Sequence, residues 1–367
     1  PEDTDLVFSS GSGNAISVND VDADTVEVTL TATNGTVTVD LGSAIGAETL
    51  INTTTTDVQE RPDIAVAADG SYVVVWASQN QDGDGSGIYA QRFDATGTAL
   101  TGEILVNTST TGDQQNPSVA IDDAGNFVVA WETNHLGSGY DNIYAQRVDA
   151  AGNTVGNEFR VDAVAGGDVL NAAIAMDADG DFVIAFENRV AFDGDGWGIY
   201  AQRYDNTGAA QGGQFLVNTT NVVGNQAAPS VAMDDAGNFV VAWDGPVGVD
   251  HHVQFHRFDN TGAKLGGETT ATTSGYGASV DMNASGNFVI TWQSADSSSW
   301  GVYGRQFDAS GTAIAPEFQV TTNETDDQVM PDVALADNGE FVVTWQSYSQ
   351  DAAGTYGIYA QRYDALG

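Results

Sequence analysis

The sequence predicts an all-β protein: a six-bladed β-propeller with four strands per blade, preceded by a short N-terminal β-extension. Three observations carry that prediction. Short Val-rich runs alternate with turn-forming clusters of Asp and Gly, of which the chain has 43 Gly. A segment of the form Gly-x-(Phe/Tyr)-Val-(Val/Ile)-x-(Trp/Phe) recurs six times. Each recurrence sits among three further short strand candidates, and four strands repeated in this way make the blades of a propeller.

The six segments are Gly70–Trp76, Gly125–Trp131, Gly180–Phe186, Gly237–Trp243, Gly286–Trp292 and Gly339–Trp345. Their starts lie 55, 55, 57, 49 and 53 residues apart, too far for a single hairpin. Ahead of each runs a short strand, as in Ile104–Asn107 or Phe215–Asn218, and then a proline-led one, as in Pro117–Ile121. After each comes a fourth, as in Ile88–Asp94, Ile143–Asp149, Ile199–Asp205 and Ile358–Asp364. The chain ends just after the fourth strand of unit six. A blade built from strands two, three and four plus the first strand of the next repeat then leaves the last blade one strand short. Leu50-Ile51-Asn52 is expected to fill that place and to hide two open edges.

Residues 1–47 do not share the repeat, and residues 48–367 do. Leu6-Val7-Phe8, Ala15–Val18 and Thr25–Leu30 alternate like strands, and Asn34-Gly35 is a hairpin turn signal before Thr36–Leu41. This extension is too small to stand alone. It either packs on the propeller or offers strands to a neighbouring molecule.

Charge excludes several functions. Fifty-one acidic side chains face ten Lys plus Arg, for a net charge of -41. Nucleic acid is not a partner for such a chain, and an anionic membrane surface would repel it. No apolar run approaches the roughly 18 residues of a membrane span. With no cysteine there are no disulfides. Apolar residues at 41% still supply a core, so the acidity does not mean disorder. Pro1-Glu2-Asp3 is not a signal peptide, so the chain is expected to be a processed product or part of a longer one.

Pro1–Leu6, Ala15–Ala23 and Leu30–Gly35 resemble the start of the cadherin-like repeats of giant bacterial surface proteins. The Gly-x-Phe-Val-Val-x-Trp and Ile-Tyr-Ala-Gln-Arg-Phe-Asp units resemble repeats of the same secreted proteins. That resemblance spans essentially the whole chain. It implies a calcium-binding adhesin or surface-layer component, exported by the repeats-in-toxin route to the bacterial exterior.

Candidate sites fall mainly in the loops between the third and fourth strands. Asp82-Gly83-Asp84-Gly85 and Asp193-Gly194-Asp195-Gly196 place carboxylates at alternate positions, as a calcium loop does, although Asp-Gly pairs also make plain turns. Trp197, Trp300, Tyr140, Tyr348 and Tyr356 occupy comparable loops without being required by the strand pattern, and suit carbohydrate stacking. The Asp pairs before the Gly-x-Phe turn (Asp122-Asp123, Asp177 with Asp179, Asp234-Asp235) resemble the structural Asp-box of sialidase-like propellers. Arg92, Arg147, Arg203, Arg257 and Arg362 share one repeat position and are expected to pair within their own blades. The five repeat tryptophans are expected to pack blade against blade. His252 and His256 would share a strand face, which is a weak transition-metal pattern.

No catalytic constellation stands out, because paired carboxylates are everywhere. The expectation is a non-enzymatic structural or adhesive surface protein, stabilised by calcium and associating with itself or other surface proteins. A lectin-like propeller binding glycans is the second reading. A glycan-cleaving enzyme on a sialidase-like propeller is the third.

Overall fold

The computed structural model describes residues 49–134, 139–163, 166–190, 196–220, 224–247, 250–297, 299–323, 325–350 and 354–365. The N-terminal extension, Asp193 and Asp195 lie outside them. Contacts divide the chain into Pro1–Leu50 and Ile51–Gly367.

The second unit is a six-bladed β-propeller. Blade 1 consists of Gln59–Val66, Tyr72–Gln79, Ser86–Phe93 and Ile104–Leu105, antiparallel and adjacent in chain order. Blades 2 to 5 repeat that four-stranded order, and blade 6 has three strands: Gln328–Leu335, Phe341–Tyr348 and Tyr356–Tyr363. The first strands of successive blades touch one another, so they line the central channel.

The second strands explain the Val-rich pattern. A blade is covered on both faces by its neighbours, so its middle strands bury every residue instead of alternate ones. Phe127–Thr133 and Phe182–Asn188 are buried throughout. The apolar clusters cross from blade to blade: Val73, Val75 and Ile88 of blade 1 pack with Val119, Val129 and Trp131 of blade 2. Trp131, Trp243, Trp292 and Trp345 are buried in such clusters, as expected, while Trp76 is buried against its own blade and Ile51.

The arginine expectation needs correction. Arg147 donates to the carbonyls of Thr207 (2.6 Å) and Asn206 (2.5 Å), and Arg203 donates to Thr261 O (2.6 Å) and Asn260 O. Arg257 reaches Ser310 O. These carbonyls belong to the turn of the next blade, 53 to 60 residues on. A planar guanidinium presents several donors at once, so it can bridge two separately folded blades.

The turns are held by Asp, as the repeat suggested. Asp122 Oδ1 accepts the N–H of Asn126 at 2.7 Å, and Asp234 Oδ1 accepts that of Asn238 at 2.8 Å. A carboxylate here replaces the acceptor that a tight turn otherwise leaves to water.

Among the described residues, Ile51 and Asn52 of the expected closing strand are not paired with blade 6. Ile51 packs on Val74, Trp76, Tyr89 and Phe93 of blade 1. Asn52 Nδ2 donates to Thr54 O and Gln59 Oε1, just as Asn107 Nδ2 donates to Ser109 O and Gln114 Oε1. In blade 1, Val106 N donates to Ile88 O and Asn107 Oδ1 accepts from Ile88 N, which leaves Ile88 fully buried. Ile358 holds the same place in blade 6 and is 74% exposed.

Candidate active site at the channel mouth

Each channel-lining strand is broken by a bulge at the same place. The register shifts after Glu60, Gln115, Leu170, Ala227, Tyr276 and Val329. One residue per bulge takes a left-handed backbone: Arg61, Asn116, Asn171, Ala228, Gly277 and Met330, with φ between 50° and 62°. Proline follows in four blades (Pro62, Pro117, Pro229, Pro331), which is tolerated because a bulge does not use that N–H in the ladder. The proline-led strand of the sequence is thus a bulged strand. The bulges surround a cavity of about 420 Å³, lined by Arg61 to Asp63, Asn116 to Ser118 and their counterparts in blades 3 to 5.

The bulges turn backbone N–H groups toward the residue that follows the aromatic anchor of the preceding blade. That residue is Ala77, Glu132, Glu187, Asp244, Gln293 or Gln346 in blades 1 to 6. Glu132 accepts from Asn171 N (2.6 Å) and from Asn116 Nδ2 (2.7 Å). Glu187 accepts from Asn171 Nδ2 (3.0 Å) and Ala228 N (3.4 Å), and pairs with Arg189 Nε at 2.6 Å. Asp244 accepts from Gly277 N at 3.4 Å. Gln293 does the same for Met330 N at 2.9 Å.

That last contact is informative. A neutral glutamine satisfies the bulge in blade 5, so the fold does not require charge at this position. Blades 2, 3 and 4 nevertheless bury three carboxylates there, with Glu132, Glu187 and Asp244 only 5%, 0% and 8% exposed. Burial raises the pKa of Glu132, and its hydrogen bonds oppose that rise. Burial pushes Asp244 up to about 6, and the negative charge of Glu187 adds to the effect. A carboxyl whose proton affinity is raised by burial can serve as a general acid near neutral pH.

The loop candidates open onto the same end of the blades. Trp197, His251, Trp300 and Tyr356 occupy one register position, at or just before the start of the third strand in blades 3 to 6. Ser86 and Asp141 hold that position in blades 1 and 2. The Arg189 guanidinium lies 4.1 Å over the Trp197 ring, which links that ring to Glu187. Tyr348 and Tyr356 pack at 5.0 Å, and Tyr140 is exposed.

Asp82 and Asp84 tie their loop to the segment that leads into blade 2. Asp82 accepts from Asn107 Nδ2 (3.2 Å) and Asp84 from Gly112 N (3.2 Å). Among the described residues, no group of three or more His, Cys, Asp or Glu is placed to hold a metal ion. The histidine pattern gives no such group either: both ring nitrogens of His256 face carbonyls, Val217 O and Gly266 O. Glu132, Glu187 and Asp244 escaped sequence reasoning. The available signal was that the residue after the anchor changes from blade to blade while the anchor stays aromatic.

No family model and no curated protein sequence matches the chain. Solved structures do match its fold. A protein of unknown function from Dyadobacter fermentans aligns at 13% identity over 85% of this chain and 96% of that one, with a TM-score of 0.55. The α-L-arabinofuranosidase of Fusarium graminearum, solved with arabinobiose, aligns at 12% identity over 83% and 92%, with a TM-score of 0.53. An α-L-arabinanase of Penicillium chrysogenum, also with arabinobiose, aligns at 10% identity over 84% and 93%, with a TM-score of 0.54. At these identities the likeness establishes the propeller fold. The expectation of a non-enzymatic structural or adhesive protein is corrected by these neighbours, two of which are named as an arabinofuranosidase and an arabinanase.

Proposed function

We propose that the chain is a glycan-cleaving propeller whose active site is the channel mouth. The observation that carries this reading is the burial of Glu132, Glu187 and Asp244 on consecutive blades, at a position where Gln293 shows that charge is dispensable to the fold. Glycosidic bonds are cleaved by two carboxyl groups flanking the bond, one giving a proton to the leaving oxygen and the other acting as base or nucleophile. Asp244, with its pKa near 6, is the proton donor in this reading. Glu187, oriented by Arg189 and Asn171, is its partner. The two fold neighbours named as an arabinofuranosidase and an arabinanase support the choice of a glycan as substrate.

The test is hydrolysis of a broad panel of fluorogenic glycosides, arabinofuranosides included. Asp244→Asn and Glu187→Gln should each lower kcat by about a hundredfold or more on any substrate turned over. Turnover that survives both substitutions overturns the assignment, as does no turnover across the panel. Calcium belongs to this reading as a stabiliser of the Asp82–Asp84 loop, supported by the composition of that loop. Secretion, which a polymeric glycan substrate would require, belongs to it as well.

A further inference from the structure

We propose that the aromatic residues of blades 3 to 6 form the binding surface for an extended, uncharged oligosaccharide, with Tyr276 and Trp300 the stacking wall beside Asp244. This rests on the reading of the mouth as a glycan site and names the class of glycan. Trp197, His251, Trp300 and Tyr356 share one register position, and the polar Ser86 and Asp141 show that the fold does not need a ring there. The scaffold aromatics are fully buried, whereas His251, Tyr276 and Trp300 are partly open to solvent.

Tyr276 ties this surface to the carboxylates. Its ring stacks on His251 at 4.7 Å and meets the edge-on ring of Trp300 at 5.6 Å. It directly precedes Gly277, whose N–H reaches Asp244. Blade 5 also departs from the repeat just ahead of it. In blades 1, 2, 4 and 6 a glutamine, buried in blades 2, 4 and 6, stands at or just before the start of the channel strand, where blade 5 has Gly275, and a Cβ there would lie 2.6 Å from Trp292 Cδ1.

Charge selects against acidic sugars. The bulges around the mouth are bonded to three buried carboxylates, Arg189 is taken by Glu187 at 2.6 Å, and Arg61 is shared between Asn116 Oδ1 and Glu60 at 3.9 Å. A sugar carboxylate entering here would meet repulsion from these carboxylates, whereas the apolar face of a neutral sugar gains from aromatic contact.

The experiment measures tryptophan-fluorescence titrations and KM for neutral oligosaccharides of increasing length, against uronic-acid oligosaccharides of the same lengths. Affinity for neutral chains should rise with length and exceed that for acidic ones. Trp300→Ala and Tyr276→Ala should each weaken binding of the longest neutral chain by about tenfold, and Trp300→Phe should recover most of it. Thermal melting of each variant separates loss of the wall from loss of fold. Preference for acidic chains, no dependence on length, or unchanged affinity in well-folded Trp300→Ala and Tyr276→Ala would overturn the proposal. Tight binding of neutral chains without hydrolysis would leave it standing and remove the catalytic assignment. Hydrolysis with unchanged affinity in the two variants would do the reverse.

Discussion

The two ends of each blade follow different rules. At one end, Asp94, Asp149, Asp205, Asp259 and Asp308 each accept the N–H of the residue four positions on. Hydrogen bonds hold the carboxyls of all five below the usual range. At the other end, equivalent positions carry Ala77, Glu132, Glu187, Asp244, Gln293 and Gln346, and burial raises the pKa of Glu132 and Asp244. Every blade must reverse its chain, so the first end repeats. On the proposed function the second end faces a ligand that lacks sixfold symmetry, and it varies. In a repeat protein, then, constancy marks folding and departure from it marks chemistry.

The comparison breaks if carboxylates at the two ends respond alike to neutralisation. Asp122→Ala removes two hydrogen bonds from a turn and should destabilise by about 1–2 kcal/mol in urea unfolding. Asp244→Asn keeps an oxygen for Gly277 N and removes a buried charge, so its melting temperature at pH 7 should be unchanged or higher. A loss as large as that of Asp122→Ala would make Asp244 a structural group.

Acidity sharpens the contrast. Asp244 and Asp281 are both pushed up to about 6, so the folded chain takes up these protons before the unfolded chain does at 3.8. Stability should therefore rise as pH falls from 7 through 6 toward 4. The turn aspartates, lowered below 3.8, contribute fully above that value and lose their contribution as pH falls further. Melting temperature should peak between about 4 and 6, and Asp244→Asn should flatten the rise from 7. A maximum above pH 7 would contradict both assignments.

The smallest effect concerns calcium. If the Asp82–Asp84 loop holds it, chelation should lower the melting temperature by a few degrees, as about 1 kcal/mol does for a domain of this size, and Asp84→Asn should abolish the difference. Identical melting with calcium and with chelator removes calcium from the account.

Much of the architecture was legible in the sequence. Six Val-(Val/Ile)-x-(Trp/Phe) segments 49 to 57 residues apart named the blades, because a strand covered on both faces must be apolar throughout. The Asp turns were legible because Asp122 and Asn126 lie four residues apart. The partners of Arg147 were not, because a carbonyl 60 residues away comes within reach only once two blades stack. The closing strand was misplaced because Asn52 has the same local contacts as Asn107, and local contacts do not determine which edge a strand joins. The family resemblance led to an adhesive role because the repeat pattern reports the blade and not what the blade carries.

The amino-acid order by itself determined the blades, their number and the turns that reverse them, since all of these depend on residues near one another in the chain. Only the tertiary structure decided that three of 51 acidic residues, Glu132, Glu187 and Asp244, bond to the bulge of the next blade, and that the rings of Tyr276, His251 and Trp300 meet. The physical reason is that the partners belong to different strands or blades, so neither the burial of these carboxylates nor the contact of the rings exists until the blades assemble around the axis.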